Sequence, residues 1–193
     1  MVFKFVRLFD VLLSFLGIVF LAPIIAAIMI VCFIDTRSPI FSQTRVGENM
    51  KPFIIFKFRT MKKNTVWTST HLVDARAITC SGQVLRKYKL DEIPQLWNVL
   101  IGDMSLVGPR PCLFSQRDLL AERKARGITM NKPGITGLGQ LHGIDMRNPK
   151  RLACLDRRMM SSLSLESYFK YLSKTVCSLI VCKKNVSISK LLS

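Results

Sequence analysis

The sequence predicts a membrane-associated α/β fold, and three observations carry that prediction. From Val11 to Ile34 the chain runs 24 residues without a charge, about the length that crosses a bilayer's hydrocarbon core as a helix. Between Ile40 and Met61 apolar and polar residues alternate around Gly47-Glu48-Asn49, the pattern of a β-hairpin. Beyond the hairpin, mixed charged and apolar stretches read as amphipathic helices. The expected architecture is a kinked, re-entrant N-terminal helix, a small hairpin, a helix opening at Asp91 and amphipathic helices at the membrane interface. Residues 1–36 form the membrane helix-turn-helix, and residues 37–193 form one domain on the cytoplasmic face.

The size supports a single domain with a real core: 193 residues, 49% of them hydrophobic. Three readings compete for the apolar run. A signal peptide has a shorter apolar core and a small-residue cleavage site, and neither is present here. A spanning helix has the right length but meets a charge problem. Lys4 and Arg7 precede the run, and Arg37, Arg45, Lys51, Lys57, Arg59, Lys62 and Lys63 follow it. Positive residues near both ends favour keeping both on the cytoplasmic side. A helix that enters and returns satisfies that, and Pro23, which removes a backbone donor mid-run, supplies a place to bend. Kinked spanning helices are also common, so spanning and re-entrant readings both stand on physics alone.

After Ser38-Pro39 ends the apolar helix, Ile40–Val46 and Lys51–Met61 form the hairpin strands. Residues 64–81 are polar and mixed, a loop with one irregular helical piece. Pro94 suits the first turn of a helix capped near Asp91, because the first backbone donors of a helix need no acceptor within it. The positive end of such a helix would favour a phosphate beside the acidic pair. Ser115–Arg126 reads as a charged amphipathic helix, Lys132–Gly137 as a turn-rich loop, and 151–160 and 165–182 as helices. The last carries Tyr168, Phe169, Tyr171, Leu172, Val176 and Ile180 beside Lys170 and Lys174, which suits an anionic membrane surface or an ordinary core face equally.

The six cysteines are scattered without a CxxC pair and read as reduced apolar filler. His71 and His142 lack metal-ligand company. Acids are scarce, 12 against 29 Lys+Arg for a formal net charge of +17. That makes the adjacent Asp91 and Glu92 conspicuous. A carboxylate can act as a nucleophile, and neighbouring Arg and Lys can hold a phosphate for it to attack. The bland alternative is a helix N-cap followed by a first-turn acid.

Several motifs bear on that choice. Gln43-Thr44-Arg45-Val46-Gly47, Lys57-Phe58-Arg59-Thr60-Met61, Leu85-Arg86, the long run from Leu90 to Pro111, Pro133-Gly134-Ile135-Thr136-Gly137 with Gln140, and Leu155-Asp156 occur in that order. Together they resemble the bacterial sugar transferase family, the small monotopic phosphoglycosyl transferases, over nearly the whole chain. The resemblance implies a membrane enzyme that moves a phospho-sugar from a UDP-sugar to undecaprenyl (polyprenol) phosphate. Its products are polyprenyl-diphosphate-sugar and UMP, the first membrane step of lipid-linked glycan assembly, on the cytoplasmic face of the bacterial inner membrane. By likeness, Asp91 is the nucleophile that forms a covalent phospho-sugar enzyme. Glu92 is its partner, positioning or deprotonating the lipid phosphate, and Mg²⁺ sits near Asp91. Lys57, Arg59, Arg86 and Arg110 match family basic positions as phosphate or nucleotide ligands, though each suits a surface or lipid-headgroup charge as well. Arg110, between two prolines, is a stiffly held fork for phosphate. Asp156 matches a family acidic position, as a substrate ligand or a structural anchor.

The chain departs from the family pattern at four places. Ala22-Pro23 replaces Ser-Pro, Ile144-Asp145 stands where Arg-Asn is usual, Met159 replaces an aromatic, and Tyr168 replaces an acid. These leave the acidic pair intact and bear on the sugar pocket and the C-terminal packing. Two other function classes compete: a non-catalytic basic membrane protein held to anionic lipid, and a nucleic-acid binder. The charge alone suggests the second, but no nucleic-acid motif accompanies it, and it leaves the apolar run unexplained.

Overall fold

The computed structural model describes residues 2–62 and 77–191, with side chains described through residue 178. His71, Lys63 and most of the expected irregular loop lie outside the described residues, as do the side chains of Ile180 and Cys182.

Helix α1 (Val2–Thr36) is uninterrupted, about 50 Å long at 1.5 Å per residue. The helix-turn-helix expected at Pro23 does not form as a turn; the proline lies inside the helix. The reason is tertiary, since both halves dock on the same domain. In the first half Val6, Asp10 and Ser14 are buried, and in the second Ile28, Cys32 and Thr36. This four-residue spacing puts each set on one helix face. The outer face carries exposed Phe5, Leu8, Phe15, Phe20, Ile30 and Ile34. By length and composition α1 is apolar enough to cross a membrane.

Two polar anchors hold the first half. Arg7 donates from Nη1 to the carbonyl of Val99 (2.6 Å) and from Nη2 to that of Leu100 (2.9 Å), capping the end of α3 (Gln95–Ile101). Asp10, adjoining the apolar run, accepts from the Leu106 backbone N–H (2.9 Å) and the Tyr168 hydroxyl (2.8 Å). Tyr168, standing where the family pattern has an acid, is thus the donor to a buried acid on α1. The second half of α1 packs through Ile28 and Cys32 with Phe58 and Leu85.

Strands β1 (Ile40–Val46) and β2 (Pro52–Phe58) form the expected hairpin, paired from Ile40↔Phe58 to Val46↔Pro52. Its turn places Asn49 and Met50 in the left-handed region, at φ 55° and 62°. The other edge of β2 is closed by a side chain: buried Asn98 accepts from the Phe56 N–H (3.0 Å) and donates to the Ile54 carbonyl (2.7 Å). One amide thereby satisfies two backbone groups of an edge strand. Period-two alternation places Phe53, Ile55 and Lys57 on one face. Phe53 and Ile55 enter the central core with Val99, Met104, Val107, Met159 and Tyr168.

Residues 132–137, expected as a loop, contain β4 (Gly134–Thr136), which pairs in parallel with β3 (Ser105–Val107). Three residues are too few to show alternation in a sequence. The pair is set by contact between two glycines: a Cβ on Gly134 would lie 2.0 Å from the Gly108 nitrogen. Helices α2 (Cys80–Lys87), α4 (Arg117–Ala125), α5 (Leu138–Leu141), α6 (Pro149–Ser161) and α7 (Leu165–Leu191) complete the chain. Helices α4 and α6 meet the hairpin end through Val46, Cys112, Leu119, Leu152 and Ala153. Of the cysteines expected as filler, Cys32 and Cys112 are buried, while Cys80, Cys154 and Cys177 are exposed; all five are free.

Candidate active site

The acidic pair lies in a tight turn before α3. Lys89 takes a left-handed conformation (φ 53°), and Leu90–Glu92 form one 3₁₀ turn. Bonds from Glu92 N to Lys89 O, Ile93 N to Leu90 O and Leu96 N to Ile93 O carry the coil into α3. The α-helix therefore opens at Gln95 rather than at Asp91, with Pro94 as its N-terminal flank. Neither acid caps it, as no side-chain cap bond forms at the turn or at α3. The bland account of the pair fails on that point, and both carboxylates are left for other partners.

Glu92 is claimed by two cations. Lys57 Nζ stands 2.9 Å and Arg110 Nη2 2.8 Å from the same oxygen, Oε1. Lys57 arrives from the core face of β2. Arg110 arrives from the Pro109-Arg110-Pro111 segment that follows β3, held there by the Gly134 N–H to the Pro109 carbonyl (2.9 Å). Burial alone would raise the Glu92 pKa, but the charges of Arg110 and Lys57 outweigh it and push it down to about 2. Burial drives the Lys57 ammonium below its usual pKa, opposed by Glu92.

Asp91 is the opposite case. It makes no side-chain hydrogen bond or ion pair among the described residues, and burial raises its pKa against the pull of Lys57, Arg86 and Arg110. Neighbouring carboxylates pushed apart in this way suit different chemical roles. One is an anion clamped by cations; the other, among the described residues, is an unclaimed and more basic carboxylate.

Beside the pair opens a cavity of about 420 Å³ whose wall includes Arg45, Lys57, Lys89, Glu92 and Arg110. Asp91 is not part of that wall. The wall carries cations in excess over acids, a composition fitted to an anionic ligand. The Arg45 guanidinium is held down to about 10 by burial and by Arg110 nearby.

The other residues singled out in the sequence sit elsewhere. Arg86 donates from Nε to Thr60 Oγ1 (2.8 Å) and acts on Asp91 through its charge. Arg59 is tied to the α1–β1 connection, donating to the carbonyls of Ser38 (2.9 Å) and Ile40 (3.3 Å). Asp156 is fully buried and outside the cavity wall. Its Oδ2 accepts from Arg123 Nε (2.9 Å) and Nη2 (2.7 Å), while Arg123 Nη1 donates to the Arg110 carbonyl (2.9 Å). The acid thus stands behind Arg110 rather than in front of a ligand. Arg123 itself is not legible in the chain: on a helix of mixed charge nothing marks one arginine as interior. Arg45 and Gln140 lie within recognised motifs, so their places on the wall have a signal in the sequence.

The acids beside the cavity can be set against the demands of a divalent ion. No group of three His, Cys, Asp or Glu side chains comes together among the described residues. Mg²⁺ commonly takes one or two carboxylates and leaves its remaining positions to water and substrate phosphates. The unclaimed Asp91 fits that demand.

Comparison with known proteins bears directly on this constellation. The family model described as bacterial sugar transferase matches residues 2–182. The chain is 37% identical over 176 residues to an uncharacterized sugar transferase, EpsL, of Bacillus subtilis (strain 168), covering 91% of this chain and 87% of that one. It is 33% identical to the exopolysaccharide production protein ExoY of Sinorhizobium fredii (strain NBRC 101917 / NGR234), covering 88% and 83%. A UDP-glucose:undecaprenyl-phosphate glucose-1-phosphate transferase of Klebsiella pneumoniae is 40% identical over 154 residues, 74% of this chain and 31% of that longer protein.

Proposed function

The chain belongs to the bacterial sugar transferase family and is an enzyme, a phosphoglycosyl transferase, and from that premise we propose its reaction. It transfers a phospho-sugar from a UDP-sugar to undecaprenyl phosphate, giving undecaprenyl-diphosphate-sugar and UMP. The observation that supports this best is the divided acidic pair: Glu92 clamped by Lys57 and Arg110, Asp91 unclaimed and more basic than an ordinary aspartate.

In this reading an Asp91 oxygen attacks the β-phosphorus of the donor. The bond between that phosphorus and the bridging oxygen breaks, UMP leaves with the bridging oxygen, and a phospho-sugar remains on Asp91 as an acyl phosphate. An oxygen of the lipid phosphate then attacks the same phosphorus and returns the carboxylate. Lys57 and Arg110, already fixed by Glu92, hold phosphate oxygens without reorganising, which is where phosphoryl transfer gains most. Glu92, pushed to about 2, is a poor proton acceptor. Its role is to align the two cations rather than to deprotonate the acceptor. Mg²⁺ held at Asp91 would neutralise donor diphosphate charge.

The apolar outer face of α1 suits burial in lipid. Both halves of that helix dock on the catalytic domain, which supports a monotopic placement, both ends cytoplasmic, at the inner membrane. The test uses the full chain in mild detergent with undecaprenyl phosphate, Mg²⁺ and a panel of UDP-sugars, reading UMP release and the mass of the trapped protein. Release dependent on lipid and Asp91, with a phospho-sugar adduct absent from Asp91→Asn, is the expected result. Full turnover by Asp91→Asn would overturn the covalent route.

A further inference from the structure

Buried polar atoms nearly always find hydrogen-bond partners, and those that do not ask for an explanation. Among the described residues the side-chain atoms Arg45 Nε, Gln95 Nε2, Gln140 Nε2 and Gln140 Oε1 are buried and unpartnered, as are Ser105 Oγ and Asp156 Oδ1. Arg45, Gln95 and Gln140 all stand on the wall of the cavity beside Glu92, and Ser105 and Asp156 stand outside it. Gln95 is only 2% exposed. An unmet buried donor or acceptor weakens an equilibrium about tenfold to a hundredfold, so three such residues on one wall amount to a receptor waiting for its ligand's polar atoms.

We infer that Gln95 and Gln140 are the specificity-determining contacts for the sugar of the donor, and that they recognise a neutral ring through its hydroxyl or acetamido groups. This rests on the transferase reading above. Position supports it. Gln95 follows Glu92 by three residues into the first turn of α3, close in sequence to the acids at which the β-phosphorus reacts. The sugar is the group bonded to that phosphorus. Gln140 is held in place by its own loop. A Cβ at Gly137 would meet Gln140 Oε1 at 3.0 Å and the Gly108 carbonyl oxygen at 2.5 Å, so the amide packs where only a glycine leaves room for it. The chemistry supports it as well. A primary amide donates and accepts together, as a hydroxyl or an acetamido group does. The wall residues Ile135, Ile144, Met146 and Leu152 offer apolar surface, and the acid beside them, Asp145, is paired with Arg147. No aromatic ring lines the described wall on which a nucleobase could stack. Arg45, charged and nearest in character to Lys57 and Arg110, belongs with the phosphates.

Gln140→Leu, Gln140→Glu and Gln95→Leu test the assignment, each checked for an unchanged melting temperature. Binding of UDP, UDP-glucose, UDP-N-acetylglucosamine and UDP-N-acetylgalactosamine is measured by calorimetry beside kcat/KM for each sugar nucleotide. Expected is a preference among the three sugars in the native protein that shrinks about tenfold or more in the Leu variants, with UDP affinity unchanged. The Glu variant, shaped alike but without the amide donor, shifts the preference without loss of melting temperature. An equal loss for UDP, or an unaltered order and spread among the sugars, overturns the assignment. Sugar-dependent binding without UMP release would instead overturn the transferase reading, because the binding arm does not depend on turnover. Should the Leu variants melt early, the Glu variant alone decides the matter by the same criterion.

Discussion

Arg123 holds Arg110 from behind, donating from Nη1 to its backbone carbonyl at 2.9 Å. Arg123 is in turn fixed by two bonds to the buried Asp156. The guanidinium that clamps Glu92 is therefore positioned by an interior ion pair that never faces the cavity.

Asp156→Asn leaves the Arg123 charge buried without its counter-ion. It is expected to cost about 3 kcal/mol and roughly 10 °C in Tm. Loss of activity would accompany that for trivial reasons, so the informative variant is the pair Arg123→Met with Asp156→Leu. Apolar replacement of a buried pair often restores stability. Tm is expected to recover while kcat stays down about tenfold, because the Arg110 carbonyl still lacks its donor. A double variant with native kcat would show that the pair serves folding alone.

Glu92→Gln separates the clamp from the chemistry. The neutral amide no longer balances Lys57 and Arg110, whose charges then meet only the ligand. UDP is expected to bind about 20-fold tighter, by roughly the value of one hydrogen bond to a charged group. kcat is expected to fall about 100-fold because the cations are no longer aligned. Paired calorimetry and steady-state kinetics read both; weaker UDP binding would contradict a clamp.

Much of this site is legible in the chain and some is not, for identifiable reasons. The acidic pair stands out because acids are rare in a strongly basic sequence. The hairpin stands out because seven-residue strands are long enough to show alternation, and its register then fixes Lys57 on the core face. Strands β3 and β4 are held by the fit of Gly108 against Gly134, a contact between residues distant in sequence. The helix start differs from the expected one because Pro94 suits a first helical position as readily as the flank it occupies behind a 3₁₀ turn. Asp10 gives no signal of its own, because it adjoins the apolar run and its partners Leu106 and Tyr168 come from elsewhere in the chain.

The two carboxylates titrate in opposite directions, and the sign sets the pH profile. A carboxylate with a raised pKa loses its charged form as pH falls through that raised value. As pH falls, Asp91 should therefore lose its carboxylate form at a pH higher than the ordinary aspartate pKa of 3.8, while Glu92, pushed to about 2, stays ionised throughout. With Asp91 as the proposed nucleophile, the acid limb of log kcat/KM is expected to follow its titration. Arg86 lowers the Asp91 pKa through its charge, so Arg86→Met moves that limb to higher pH. A limb unmoved by the substitution would assign it to another group.

The placement of α1 can be read by labelling. Arg7 is bound to the carbonyls of Val99 and Leu100, and Ile28 and Cys32 pack with Phe58 and Leu85 of the same domain. Those anchor points lie about 30 Å apart along the helix, which is the thickness of the hydrocarbon core. A straight span would require the one domain to reach across the bilayer to keep both sets of contacts. Single cysteines introduced at Lys4 and Arg37 in a cysteine-free background are therefore expected to react from the cytoplasmic side alike. Labelling of the Lys4 position from the periplasmic side would mean that the Arg7 and Asp10 anchors break in the membrane, and the expected consequence would be an unstable β3 and a displaced Arg110.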